Sequence, residues 1–174
     1  MALRHTFSFT RTAQDLHNAR LLKGKRLSGL VYDQYYFADE KTLGDIDPIE
    51  WRFGEQEILS MYLLSDGESV GADLYPTDTP AAFEIEPDVT CAWKREDLLA
   101  TLSIPCLEGE MISEVEGILD SFCGKAPRLV GFKVQFESGD FLVFLNCGDN
   151  AVMLVNALPP TPVGVDSCFV TSIQ

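Results

Sequence analysis

The chain has 174 residues, of which 46% are apolar, and this composition excludes an intrinsically disordered protein. No apolar run approaches the roughly 20 residues that a membrane-spanning helix requires, so no membrane partner is expected. The formal net charge of −14 excludes the basic surfaces with which proteins hold nucleic acids or anionic lipids. Length and composition together predict a single globular domain over residues 1–174.

The charges are unevenly distributed along the chain. Residues 1–38 carry six Lys or Arg and two Asp or Glu, residues 39–97 carry four and sixteen, and residues 98–174 carry three and nine. The acidic middle part would attract a basic partner and accelerate its association. The alternative is that these acids serve solubility alone.

The N-terminal segment, residues 1–25, predicts a strand at Arg4–Phe9 and a short helix at residues 12–23, which Gly24 ends. No apolar stretch typical of a secretory signal occurs there, so a cytoplasmic protein is expected. The alternative is an organelle transit peptide, against which Asp15 argues.

The following residues predict several strands. Arg26–Phe37 is rich in β-branched and aromatic residues, and Ile49–Phe53 alternates with its aromatic residues on one face. Ile58–Leu64 and Ser69–Tyr75 flank an Asp-Gly pair, which predicts a hairpin.

The middle of the chain is less regular. Residues 76–92 contain three prolines and predict an acidic connection with one short strand at Ala82–Ile85. Lys94–Leu102 predicts a short helix that ends before Pro105. Glu110–Asp120 alternates in hydrophobicity and favours a strand over a helix.

The clearest pattern is a three-stranded antiparallel meander over residues 128–156. Apolar and polar residues alternate in Phe132–Glu137, as in a half-buried strand. Phe141–Leu145 is apolar on both faces and predicts a central strand, and Ala151–Val155 predicts the returning strand.

A proline-rich connector at residues 159–164 follows the meander, and residues 167–173 predict one last strand. The predicted fold is therefore α+β. It consists of a mostly antiparallel sheet of roughly six to nine strands, bent or two-layered, with a C-terminal meander and one or two short helices. The sequence contains no repeat of fixed period and no family motif.

The cysteines give no sign of a metal site or a disulfide framework. There are five, without a CxxC pair: Cys91, Cys106, Cys123, Cys147 and Cys168. The stretch LNCGDN around Cys147 invites comparison with a catalytic loop, but a nucleophilic thiol needs a base, and the histidines are His5 and His17 alone. Its Gly-Asp-Asn residues instead predict a tight turn between two strands.

Other chemical motifs are lacking. Phosphate-binding loops, dinucleotide fingerprints and nucleophile elbows do not occur. Acid pairs such as Asp45/Asp47 and Asp66/Glu68 do not match a calcium loop and are interpreted as turn-capping residues. The sequence therefore predicts no metal, no cofactor and no catalytic residue.

A candidate surface for a protein partner combines tyrosines with neighbouring carboxylates in VYDQYYFADE and the loop that follows. Exposed tyrosine among acids is suited to a partner that carries Lys and Arg. The candidate partner-binding residues are Tyr32, Asp33, Tyr35, Tyr36, Asp39, Glu40, Asp45, Asp47 and Glu50. The alternative is that both faces of this strand are buried.

The leading hypothesis is a non-catalytic protein that binds a basic partner, and its concrete version is a bacterial immunity-type protein that neutralises a cationic toxin. It depends on acidity, size and the lack of catalytic motifs. The first alternative is a small hydrolase or ligand-binding domain with a pocket at the sheet. The second is a structural subunit of an assembly.

Overall fold

The computed structural model describes residues 9–173, which form two antiparallel β-sheets and two α-helices. The helices in this range are α1 (Phe9–Arg20) and α2 (Leu98–Thr101), and a 3-10 turn follows at Pro105–Leu107. The strands are, in chain order, β1 (Gly29–Phe37), β2 (Glu40–Lys41), β3 (Ile49–Phe53), β4 (Glu57–Leu63), β5 (Val70–Asp73), β6 (Phe83–Glu86), β7 (Val89–Asp97), β8 (Ile112–Phe122), β9 (Arg128–Phe136), β10 (Phe141–Asn146), β11 (Ala151–Val155) and β12 (Val165–Val170).

The first sheet has seven strands in the order β5-β4-β3-β1-β7-β6, with β2 beside β1. The second sheet has five strands in the order β11-β10-β9-β8-β12. This arrangement confirms the predicted sheet-dominated α+β fold and its C-terminal meander. The chain forms two sheets rather than one bent sheet.

One hydrophobic core joins the two sheets. Trp51 and Met61 of the first sheet belong to the same buried cluster as Phe132 and Phe144 of the second, and α1 adds Leu16. Because side chains alternate along a strand, each sheet has an inner face toward this core and an outer face away from it. Both candidate sites described below lie on outer faces.

Each outer face is crossed by a connection between opposite edge strands. The N-terminal strap, residues 74–82, leads from β5 to β6 and hydrogen-bonds to outer side chains of β1 and β3. The proline strap, residues 156–164, leads from β11 to β12 and lies over outer side chains of β8 and β10. Both straps contain prolines, which suit extended segments outside a hydrogen-bonded ladder.

The two sheets repeat one topology. In the first, a meander of β1, β3, β4 and β5 is followed by a strap, by β6 and then by β7, which returns beside β1. In the second, the meander β8 to β11 is followed by a strap and then by β12, which returns beside β8. The segments that lead into β1 and β8 pair with each other at an antiparallel bridge between Arg26 and Met111.

Helix α1 covers the free edge of β5. The Asn18 Nδ2 donates to the carbonyl of Ala72 at 2.8 Å, and Asp15 Oδ1 accepts from the Ala72 N–H at 3.0 Å. These side chains replace the hydrogen bonds of a missing neighbour strand. The edge of β11 is covered similarly, since the Ala151 N–H donates to Asp45 Oδ1 at 3.0 Å.

The predicted helix at Lys94–Leu102 is wrong over its first residues. Strand β7 continues to Asp97, which lies opposite Val31 in the ladder between β1 and β7. Only then does α2 begin, with the Asp97 carboxylate accepting from the Ala100 N–H at 3.2 Å. Pairing with a strand that is distant in sequence overrides the local helical pattern.

The N-terminal helix begins earlier than the prediction of residues 12–23. It spans Phe9–Arg20, so the last residue of the predicted strand Arg4–Phe9 is helical. The rest of that predicted strand lies outside the described residues.

Candidate functional site

Four aromatic side chains meet on the outer face of the first sheet, at the end formed by β1, β6 and β7. Tyr35 and Trp93 lie opposite each other in the ladder, with ring centroids 5.0 Å apart, and Phe83 lies 6.0 Å from Trp93. Phe37 and Phe83 are 46% and 52% exposed. We call these four residues the aromatic patch.

The ladder explains why these residues meet. Phe37, Cys91 and Phe83 occupy one row across three adjacent strands, so their side chains emerge on the same face. Cys91 is buried in this row, and its Sγ lies 2.9 Å from the Tyr35 hydroxyl. That hydrogen bond raises the pKa of Tyr35 and keeps its ring in place beside Trp93. The patch therefore has a fixed base and an exposed outer part.

Five exposed carboxylates border the aromatic patch on two adjacent hairpins, β1–β2 and β6–β7. We call them the acidic rim: Asp39, Glu40, Glu84, Glu86 and Asp88. The two hairpins are joined by a hydrogen bond from the Ala38 N–H to the Thr90 carbonyl, 2.9 Å long. Residues 74–93 contain no Lys or Arg, so this end of the sheet is strongly negative.

The inner side of the same strands carries a cluster of polar side chains that hydrogen-bond to one another. The Tyr36 hydroxyl and the Lys41 Nζ both donate to Glu96, the latter over 2.6 Å. Burial would raise the pKa of Glu96, but the hydrogen bonds from Lys41 and Tyr36 hold it below its usual value. The Lys94 Nζ lies 4.3 Å from the centre of the Tyr36 ring. Tyr36 thus lies opposite the aromatic patch, not within it.

Three of the candidate partner-binding residues are buried, which corrects the expectation that they form a surface. Tyr32 is 2% exposed and belongs to the core. The side chains of Asp33 and Glu50 are 0% and 1% exposed, and both pair with Arg95. A partner cannot reach these carboxylates while the sheet is intact.

The buried acids hold the N-terminal strap. Arg95 Nε donates to Asp33 at 3.0 Å and its Nη1 donates to Glu50 at 2.9 Å. Thr77 donates through its N–H to Glu50 at 2.8 Å, and Thr79 donates its hydroxyl proton to Asp33 at 2.9 Å. Burial would raise the pKa of Glu50, but these hydrogen bonds and the charge of Arg95 lower it. The function of this cluster is structural.

Asp45 and Asp47 also bond to the backbone, as expected for turn-capping acids. Asp45 Oδ1 accepts from the Asp47 N–H at 3.0 Å, and Asp47 Oδ1 accepts from the Leu63 N–H at 2.7 Å. Burial raises the pKa of Asp47 to about 6, against the effect of the Leu63 N–H. Of the nine candidate residues, the structure brings Tyr35, Asp39 and Glu40 together at the aromatic patch and its rim.

The loop at Cys147 is the predicted tight turn. The Cys147 N–H donates to the Asn150 carbonyl at 2.8 Å, and Asn146 Oδ1 accepts from the Gly148 N–H at 2.7 Å. Burial raises the pKa of Cys147, which keeps the thiol protonated at neutral pH. His17 is exposed on α1, and no hydrogen bond joins it to this loop within residues 9–173. Among residues 9–173, the thiol therefore has no histidine base of the kind that a nucleophile requires.

Sequence reasoning missed Phe83, Trp93 and three rim carboxylates because it assigned no hairpin to this region. The signal was nonetheless present, since Pro87-Asp88 separates two alternating runs as a turn dipeptide does. Asp88 adopts a φ of 66°, a left-handed conformation that Asp tolerates.

The chain matches no protein-family model, no curated protein and no solved structure. Neither helix of the described chain has the length and apolarity that crossing a bilayer demands.

Proposed function

We propose that this protein is a non-catalytic binding protein that holds a basic protein partner on the aromatic patch and the acidic rim. The observation that carries this proposal is the exposure of Phe37 and Phe83 beside five exposed carboxylates, next to a stretch, residues 74–93, that contains no Lys or Arg. Exposed aromatic side chains supply binding energy when a partner buries them. The rim supplies orientation and selects a partner of opposite charge.

The free edge of β6 supports the same surface. The edges of β5 and β11 are covered by hydrogen bonds, whereas no such cover lies along β6 within residues 9–173. An open edge next to exposed aromatic rings favours a protein partner over a small molecule. A protein can hydrogen-bond to the unpaired backbone N–H and C=O groups of the edge strand and bury the aromatic rings at the same time.

Charge would act at longer range than the contact itself. With a net charge of −14, the chain would draw a basic protein toward this surface and accelerate association at low salt. The association rate should then decrease as salt screens the rim, because the Debye length is about 8 Å at physiological ionic strength.

The concrete form of the proposal is an immunity-type protein that neutralises a cationic toxin such as a nuclease. Its support is the acidity of the chain, its small size and the lack of catalytic motifs. A nuclease must itself be basic to bind nucleic acid, which makes it complementary to an acidic inhibitor.

The test is capture from the native host with the full chain and two charge-matched variants. The rim variant is Glu40→Lys/Glu84→Lys/Glu86→Lys, and the control variant changes three exposed acids elsewhere: Glu55→Lys, Glu108→Lys and Glu137→Lys. Both variants alter net charge equally, so only the rim variant tests position.

We expect the wild type and the control to capture a basic protein that the rim variant loses by at least tenfold at low salt. Phe83→Ala should accelerate dissociation of the same protein. If the captured protein is a toxin, the wild-type chain should inhibit it in stoichiometric amounts. Capture that ignores salt, or that both triple variants reduce equally, would refute a specific rim.

One observation favours the alternative of a ligand-binding domain. A cavity of about 300 Å³ lies between the second sheet and the proline strap, and Cys147 is among the residues that line it. This volume is at the small end of ligand sites. The cavity lies on the other sheet from the aromatic patch, so the two proposals can be tested separately.

A further inference from the structure

The cavity beneath the proline strap has a floor, a roof and a single acidic group. Its floor consists of outer side chains of the second sheet: Ile118, Leu145, Val152 and Leu154. Its roof consists of Pro159, Pro160 and Pro162. Asp120, Asn146, Cys147 and Ser167 supply the polar groups of the lining. An apolar chamber with a few polar groups is the usual composition of a small-molecule site.

A glycine at the centre of the floor shapes the cavity. Gly131 lies opposite both Ile118 and Leu145 in the ladder, so these two side chains lean toward each other over it. A Cβ at this position would lie 3.3 Å from Ile118 Cδ1 and 3.2 Å from Leu145 Cδ1. The same Cβ would also lie 2.5 Å from the Phe144 carbonyl oxygen, so the space above Gly131 is filled, and Ile118 and Leu145 close over it to form the floor.

The roof is stiff before any ligand binds. Proline fixes φ near −65°, so the strap loses little conformational entropy when it closes over a ligand. Both ends of the strap are held. The Asn156 N–H donates to the Phe141 carbonyl at 2.9 Å, and the Val165 N–H donates to the Pro162 carbonyl at 3.1 Å.

Asp120 is the group that selects the charge of a ligand. Its Oδ1 accepts from the Ser167 hydroxyl at 2.5 Å, and it makes no ion pair within the described chain. The Asn146 side chain carries no charge, and its Nδ2 donates to the Ser69 carbonyl at 3.4 Å. A carboxylate without a cation beside an apolar floor is complementary to an ammonium group attached to an apolar body.

The surroundings argue against an anionic ligand. The neighbouring surface depression also borders Asp120 and contains Lys125 and Arg128, whose guanidinium is paired with Glu68. The lining of the cavity under the strap, by contrast, has Asp120 and no Lys or Arg, so an anion there would face a carboxylate, and the net charge of −14 would repel it.

We propose that the cavity under the proline strap binds a small amphiphilic amine, with its apolar or aromatic body on the floor formed by Ile118 and Leu145 and its ammonium group at Asp120. This site lies apart from the aromatic patch, and it adds a small-molecule ligand to the proposed protein partner. The inference does not depend on the identity of that partner.

The test uses three probes that share an indole ring and differ in charge: tryptamine, tryptophol and indole-3-propionate. Titration of the full chain, followed by calorimetry and by two-dimensional NMR, should give tryptamine the highest affinity, at least tenfold above indole-3-propionate. Asp120→Asn keeps an acceptor for Ser167 and should reduce tryptamine affinity at least tenfold. Glu137→Gln removes an exposed acid elsewhere and should leave it unchanged.

Alkylation of Cys147 gives an independent readout of the location. Saturating tryptamine should slow its reaction with iodoacetamide at least fivefold, while the exposed Cys106 and Cys123 react at unchanged rates in the same sample. Equal affinity for all three probes, no binding at 1 mM probe, or unchanged affinity in Asp120→Asn would overturn the proposal. Unprotected Cys147 during binding would also overturn it, because the amine would then be bound elsewhere.

Discussion

The cluster of Asp33, Glu50 and Arg95 allows a quantitative prediction of stability. Arg95→Met keeps an apolar stem but removes the cation that pairs with both buried carboxylates. Removing one partner of a buried ion pair costs about 3–5 kcal/mol. The Arg95 side chain is 28% exposed, so water can partly solvate the site, and we expect the lower end of the range, about 3 kcal/mol.

The loss should depend on pH. In the wild type the pKa of Glu50 lies below its usual value, so this carboxylate stabilises the fold above its unfolded-state pKa, and the contribution is lost as pH falls. Without Arg95, burial would penalise the charged carboxylates instead. The destabilisation by Arg95→Met should therefore be largest at pH 8 and decrease toward pH 4–5.

Urea-induced unfolding, followed by tryptophan fluorescence to which the buried Trp51 contributes, measures this effect. For a chain of this length, about 3 kcal/mol corresponds to a decrease in Tm of roughly 6–12 °C. Arg52→Met is the matched control. Its Nη2 also contacts Glu50, at 3.2 Å, but the side chain is 42% exposed and should contribute less than about 1 kcal/mol.

A compensating variant separates charge from packing. Asp33→Asn/Glu50→Gln in the Arg95→Met background removes the uncompensated charges and should recover at least half of the lost stability. A cost below about 1 kcal/mol for Arg95→Met, or an equal cost at pH 5 and pH 8, would refute the electrostatic argument.

Three further predictions concern the backbone contacts described above. Asp47→Asn should stabilise the protein by about 1 kcal/mol at pH 8 and have no effect near pH 4. The reason is that burial raises the pKa of Asp47 to about 6, so the wild type loses stability as pH rises through that value; urea unfolding at both pH values measures it. Gly131→Ala should cost about 2 kcal/mol in the same assay, because its Cβ would lie 2.5 Å from the Phe144 carbonyl oxygen. Asn18→Leu should cost about 1–2 kcal/mol and accelerate hydrogen exchange in β5, whose edge it uncovers; unchanged protection there would contradict the role of α1.

Much of the fold could be predicted because its signals are local. The meander from β9 to β11 follows from alternating hydrophobicity and from the Gly-containing turns between its strands. The extent of β7 could not be predicted in this way. Lys94–Leu102 has a helical pattern, and only the ladder with β1, formed by residues far away in sequence, extends the strand to Asp97.

Part of the candidate site could be predicted because its residues are close together in the sequence. The tyrosines and acids of β1 and the following turn are adjacent in sequence, so Tyr35, Asp39 and Glu40 could be grouped without a structure. The burial of Asp33 and Glu50 depends on Arg95 and on the N-terminal strap, which no local pattern links to them. The acids near Tyr32 to Glu50 therefore indicated an exposed surface, whereas two of them, Asp33 and Glu50, form buried ion pairs with Arg95.

The repeated topology has a consequence for synthesis on the ribosome. All ladders of the first sheet lie within residues 29–97, so that sheet can form before the second half of the chain exists. At about 5–20 residues per second, the remaining residues take roughly 4–15 s to appear. During this interval the inner face, with Trp51 and Met61, is exposed.

The acids of the first half would limit association between such partly synthesised chains. Residues 1–97 carry ten Lys or Arg and eighteen Asp or Glu, so these chains would repel one another before the second sheet covers their apolar face. The same negative charge that would later attract a partner would thus keep neighbouring nascent chains on a polysome apart.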